Sequence, residues 1–224
     1  MNKNTKIITG IIATAVLLAG LMVVLSAQSF SSQGKYVEVK GLSERIIKAD
    51  RAIWTMSFEV KSNDSTDLYR QIANQVDGVT SFLKDAGFTD AEISSSPAST
   101  YQDTYNQAQY RYNARMSVSV YTDKIDLVKE ASEETLSLIE KGIVINDSYV
   151  NYEIADINQY KPDMLEEAIG NARDSAQQFA DDSGASIGDI ARANQGVFAI
   201  TEKDPASPEM KKVRLVSTLR YLID

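Results

Sequence analysis

The longest unbroken apolar run lies at the N-terminus. From Ile7 to Leu25 the residues IITGIIATAVLLAGLMVVL carry no charge, and as a helix they would span roughly 28 Å, close to the thickness of a bilayer's hydrocarbon. This run predicts a membrane segment. Beyond it the pattern changes to shorter periods. Tyr36 to Ile47 and Ala52 to Lys61 are rich in β-branched and aromatic residues, and read as a pair of strands joined by a turn near Lys48 to Asp50. Leu68, Ile72, Val76, Val79, Leu83 and Ala86 then recur every three or four positions, the stripe of a helix facing a core. Asp64 or Ser65 can cap that helix and Gly87 can end it.

Two extended segments follow, about Glu92 to Tyr105 and Gln109 to Thr122. A second helix over Asp126 to Lys141 carries Leu127, Val128, Ala131, Leu138 and Ile139 on one side, with Gly142 at its end. Ile143 to Ile154 reads as a strand. A third helix opens at Pro162, with Asp163, Glu166 and Glu167 near its positive end, and its stripe is Leu165, Ala168, Ile169, Ala172, Ala176, Phe179 and Ala180. Strands over Ile187 to Ile200 and Lys212 to Ile223 flank the loop TEKDPASPEM. The order is ββαββαβαββ. Because several strands are consecutive, the pattern predicts an α+β fold: antiparallel or mixed sheet(s), with about three helices packed on one face, preceded by an N-terminal transmembrane helix. The chain divides into residues 1–28 as anchor or signal segment, a 29–35 tether and a 36–224 ectodomain.

Charge orients the chain. Lys3 and Lys6 precede the apolar run with no acid nearby, which keeps the N-terminus cytoplasmic and sends the rest across the membrane. A retained single-pass anchor and a signal cleaved at the small-x-small site of Ala27 and Ser29 are the two readings; the second leaves a secreted or periplasmic protein. The formal net charge is -8, and setting aside Lys3 and Lys6 leaves -10 on the exported part. Nucleic acid is therefore not an expected partner, since phosphate binding needs a basic face.

Composition narrows the chemistry further. The chain of 224 residues has no cysteine and no histidine. Thiolate nucleophiles, histidine triads and histidine-ligated zinc are excluded, and only carboxylates, Lys, Tyr, Ser and Thr are left for catalysis. No catalytic, cofactor-binding or metal residue is assigned. Ser94 to Ser96 before Pro97 read as a turn or strand end, because no base partner is visible. Glu133–Glu134 and Glu166–Glu167 read as helix-start acids. Asp181 and Asp182 fall in a helix's last turn, where acids cost roughly 0.3–1 kcal/mol each; a hard-cation site and plain solvation, or a nearby Arg192, are the alternatives. Tyr101, Tyr105, Tyr110, Tyr112 and Tyr121 crowd one region, either as ordinary strand residues or as anchors of a subunit contact.

The stretch ARDSAQQFADDSGASIGDI places Gly184 and Gly188 after a helix and before a strand. A phosphate loop has the opposite order, so Gly184 is expected to end the helix in left-handed conformation and Gly188 to allow tight entry to the strand. Alanines stepping at three and four, followed by these two glycines, resemble the end of the SIMPL-domain family, long described as a domain of unknown function. YVEVKGLSERIIKADRAIWTMSFEV is similar to that family's opening, with Gly41 and Asp50 at its Gly and Asp. YRYNARMSVSVYTDKIDLVKEASEETLSLIEKGIVI is similar to its central strand, helix and closing glycine, Gly142. Ala49 stands where the family usually has Pro, and Arg111 or Tyr112 near a position often held by Gly.

The resemblance implies an exported bacterial envelope protein. Some members of that family are tied to oxidative-stress defence, and one periplasmic immunogenic member forms a large ring-like or channel-like homo-oligomer. It supplies no catalytic residue. The leading expectation is a non-enzymatic, membrane-tethered protein, attached through Ile7 to Leu25, that self-associates as a homo-oligomer and acts in envelope or oxidative-stress protection. A peptide- or ligand-binding module and a carboxylate-dependent enzyme are the alternatives.

Overall fold

The computed structural model describes residues 35–104 and 109–224. The apolar run from Ile7 to Leu25, nearly all of the tether and Tyr105 lie outside the described residues. Among the described residues no helix is long and apolar enough to cross a membrane. The described residues form an α+β fold with two antiparallel sheets and four α-helices. It divides into two compact units. One comprises Ser43–Leu165 and Val197–Leu215; the other comprises Glu166–Gly196, Val216–Asp224 and the described part of Met1–Leu42.

The five-stranded sheet belongs to the first unit. It contains β2 (Arg51–Ser62), β3 (Ile93–Ser95), β4 (Ser99–Gln102), β5 (Tyr112–Thr122) and β6 (Asp147–Glu153). The order is β3-β5-β2-β6, and β4 lies beside β3 on the same edge of β5. Alternation along β2 buries Ala52, Trp54, Met56, Phe58 and Val60 on one side, as expected of a strand with one face on a core. Helices α1 (Ser65–Asp85), α2 (Ile125–Glu133) and α3 (Leu136–Glu140) complete that core with Leu68, Val79, Leu83, Val128 and Leu138. Trp54 sits edge-on to Phe82 and Phe88 at centroid distances of 6.3 and 6.4 Å. Its indole N–H donates to Ser148 Oγ at 3.0 Å, so burial leaves no orphan donor there.

The four-stranded sheet contains β1 (Tyr36–Lys48), β7 (Ile187–Asn194), β8 (Phe198–Glu202) and β9 (Met210–Ile223). β9 lies between β1 and β7, and β8 also pairs with β9. Within the second unit, Ala172 and Ala176 of α4 (Lys161–Ser183) pack with Val39, Leu219 and Tyr221. The small stripe lets backbones meet: a β-carbon on Gly41 would lie 1.7 Å from the carbonyl oxygen of Ala168.

Several expectations are corrected. β1 and β2 do not pair with each other but enter different sheets. The intervening residues make the switch: Ala49 N–H donates to Glu209 O at 2.7 Å, and Asp50 N–H to Glu153 O at 3.1 Å. The helices accordingly serve two sheets rather than one face. The second predicted helix is two, α2 and α3, separated at Glu134 and Thr135, and Ile139 is exposed. The extended segment from Glu92 is two short strands, and that from Ile187 is divided at Gly196, whose φ is +77°. On α4, Ile169 and Phe179 are exposed, while Met164 joins the buried row with Ala168, Ala172, Ala176 and Ala180. That row steps strictly by four, too narrow a stripe to include them.

Candidate functional site

Among the described residues, backbone pairing leaves β6 at an open sheet edge, and β8, which pairs only with β9, at another. β6 pairs with β2 in unbroken register from Arg51↔Glu153 to Ser57↔Asp147. On its far side no backbone hydrogen bond joins it to another of the described residues. Exposed edges are normally blunted by shortness, bulges, proline or charge. β3 has three residues and β4 four; the pairing of β7 with β9 shifts register twice; β1 carries Lys40, Arg45 and Lys48. β6 has charge only at its ends, Asp147 and Glu153, and presents Tyr149 at 59% exposure.

The predicted tyrosine cluster is divided: the β4–β5 pairing keeps Tyr101 and Tyr110 near Tyr112 at one end of β5, while Tyr121 is separate. Tyr112 and Tyr121 lie at opposite ends of β5, roughly 30 Å apart at strand rise. Tyr112 packs against the core, with the Arg111 guanidinium 5.4 Å from its ring centroid. Tyr121 is exposed beneath Arg51 at 4.8 Å. Tyr101 donates to Glu59 Oε1 at 3.3 Å, and Tyr110 is exposed ahead of β5. Tyr149 was not singled out from sequence: alternation marks it as a strand residue, but its edge position follows from pairing with β2, some ninety positions away in the chain.

The face of the five-stranded sheet opposite the buried side chains of β2 is rich in hydroxyls. Thr55 and Ser119 share a hydrogen bond at 3.1 Å, and so do Ser117 and Ser96. Ser96 also accepts from the Ser117 amide at 2.9 Å, which gives it the structural role expected at a strand end. A cavity of about 410 Å³ opens there, lined by Ser57, Glu59, Ser99, Arg115 and Asn146 among others. Glu59 lies 3.7 Å from Arg115 and from Lys61, one carboxylate between two cations, so the pocket joins paired ions to neutral donors and acceptors.

Among the described residues four carboxylates, Asp67, Glu92, Asp204 and Glu209, have a lowered pKa, and Glu92 and Glu209 act as clamps between elements. Burial alone would raise the Glu92 pKa, but hydrogen bonds from Thr122 Oγ1 at 2.5 Å, the Thr89 amide at 2.8 Å and Lys124 Nζ at 2.9 Å bring it down to about 2. Glu209, also buried, accepts from Lys129 Nζ at 2.7 Å, which holds its carboxyl below the ordinary range. Its Oε2 has no hydrogen-bond partner. Nearby Tyr152 is pushed up to about 12 by burial and then by the Glu209 charge. Among the described residues no three Asp or Glu converge where a metal ion could be held.

The remaining sequence candidates are structural. Gly184 has φ +69°; its N–H donates to Asp181 O at 3.2 Å and the Ala185 N–H to Ala180 O at 2.9 Å, closing α4 as a left-handed glycine cap does. Gly188 approaches Leu222 closely: an added β-carbon would lie 3.3 Å from its carbonyl oxygen. Asp181 and Asp182 are exposed, and Gln177 donates to Asp181 Oδ1 at 2.8 Å. Glu133 ends α2 and Glu134 caps it, so this pair lies at a helix end rather than a start. Asp50 Oδ1 accepts from the Ala155 amide at 2.7 Å, fixing the switch between sheets.

Antiparallel sheets, a glycine-alanine approach and glycine-capped helices define an α+β domain without an evident catalytic constellation among the described residues. A family model described as SIMPL, protein of unknown function (DUF541), matches residues 37–217. The chain belongs to the SIMPL family. No curated protein gives a significant match.

Proposed function

We propose that this chain is a non-enzymatic envelope protein, tethered through Ile7 to Leu25, whose exported domain self-associates by pairing β6 with β6 of a second copy and serves in envelope or oxidative-stress protection. The observation that carries the reading is the unblunted β6 edge, with its exposed Tyr149. Antiparallel pairing centred on Val150 brings Asp147 against Glu153 of the second copy at both ends. Those like charges, and the formal charge of -10 on the exported part, oppose association over roughly the screening length, about 8 Å at physiological salt. Salt therefore promotes assembly. The family resemblance supports the stress-related role, and the uncharged run behind Lys3 and Lys6 supports the tether.

Light scattering on residues 30–224 across salt and concentration tests the association. Mass is expected to rise with both. A monomer throughout, at tens of micromolar protein, would overturn it and favour a ligand-binding module, for which the hydroxyl-lined cavity of about 410 Å³ is the supporting feature.

A further inference from the structure

Arg192 and Arg220 stand directly opposite each other on β7 and β9. Like charges in that relation weaken a sheet. Both line a cavity of about 280 Å³ together with Glu38, Asn194 and Thr218. Arg220 is held from two sides: its Nε and Nη2 donate to Glu38 Oε2 at 3.1 and 2.7 Å, and its guanidinium lies 4.2 Å from the centroid of the Tyr36 ring. Glu38 compensates that one charge. Arg192 has no carboxylate within ion-pair distance among the described residues. Asn194 Oδ1 accepts from the Gly196 amide at 3.1 Å, its NH2 is a donor, and Thr218 adds a hydroxyl.

The cavity thus gathers donors and one uncompensated positive charge, on a chain whose net charge is -8. An arrangement that works against local stability at a concave site is the mark of a functional position. We infer that this cavity binds a small soluble oxyanion, a carboxylate or phosphate group, through the forked guanidinium donors of Arg192 and the Arg220 N–H groups not engaged by Glu38, with Asn194 and Thr218 completing the shell. The stacked, buttressed Arg220 is pre-organised for this task. The volume fits one such group rather than a drug-sized molecule.

Thermal unfolding of the full chain in neutral detergent, with inorganic phosphate or citrate against chloride at matched ionic strength, tests the site. A bound anion raises the midpoint by mass action. Arg192→Gln is expected to weaken the anion response at least about tenfold while raising the midpoint measured without anion, because the cross-strand repulsion is gone; that anion-free midpoint also reports that the variant folds. No response to either anion, or an equal response in Arg192→Gln, would overturn the assignment. A shift produced only by phosphatidylglycerol added to the micelles would equally overturn it, by placing the anion on a lipid.

Discussion

A β-carbon on Gly41 would overlap the Ala168 carbonyl, 1.7 Å from its oxygen and 2.7 Å from the Ala172 nitrogen. Both obstacles are backbone, so no side chain can rotate away. Gly41→Ala is expected to cost about 3 kcal/mol or more, at the upper end for overpacked sites. Chemical denaturation measures it, and a loss below about 1 kcal/mol would show that strand and helix separate easily.

Gly184 presents the opposite case. Nothing lies within 4 Å of its would-be β-carbon, so Gly184→Ala meets only the left-handed backbone penalty, about 1 kcal/mol. Urea unfolding with an unchanged slope is the expected result; a larger loss would mean that the glycine has a packing role as well.

These two glycines show what could be read from the chain alone. Gly184 was legible because helix termination is local: a periodic run, a glycine and a strand lie within a few positions. Gly41 was matched to the family, but its reason is a contact with Ala168 that no local pattern reveals. The same division runs through the fold. α1 was found to within a residue from its stripe, whereas the β1–β2 pair was misassigned because their true neighbours, β9 for one and β5 and β6 for the other, are distant in sequence. The Arg192–Arg220 juxtaposition was likewise hidden, since it depends on register.

Acid should expose the Glu92 clamp. A folded-state pKa of about 2 against an ordinary 4.5 means that the ionised carboxylate stabilises the fold above about pH 4.5. That contribution is lost as pH falls from about 4.5 to about 2, by up to about 3 kcal/mol. Glu92→Gln should be less stable than the parent near neutrality and lose less over that window. Denaturation curves between about pH 6 and pH 2.5 decide it; parallel losses in both proteins would remove Glu92 from the account.

The absence of cysteine makes the β6 edge directly testable. Val150→Cys should form a disulfide-linked dimer on mild oxidation, because facing α-carbons in an antiparallel pair lie about 4.5–5.5 Å apart, within disulfide reach. Tyr149→Lys, which adds charge to the edge, should suppress both the cross-link and the salt-induced mass increase. A folded Val150→Cys protein that stays monomeric under oxidation would refute pairing through this strand.

The register shifts of β7 bear on stoichiometry. A contact that uses the same strand on both copies consumes it on both, so pairing through β6 terminates at two chains instead of propagating as a fibre. The bulged β7 presents no straight template from which a second, indefinite series could grow. Any larger assembly built on this contact is therefore counted in pairs, with an even number of chains and a different surface joining one pair to the next.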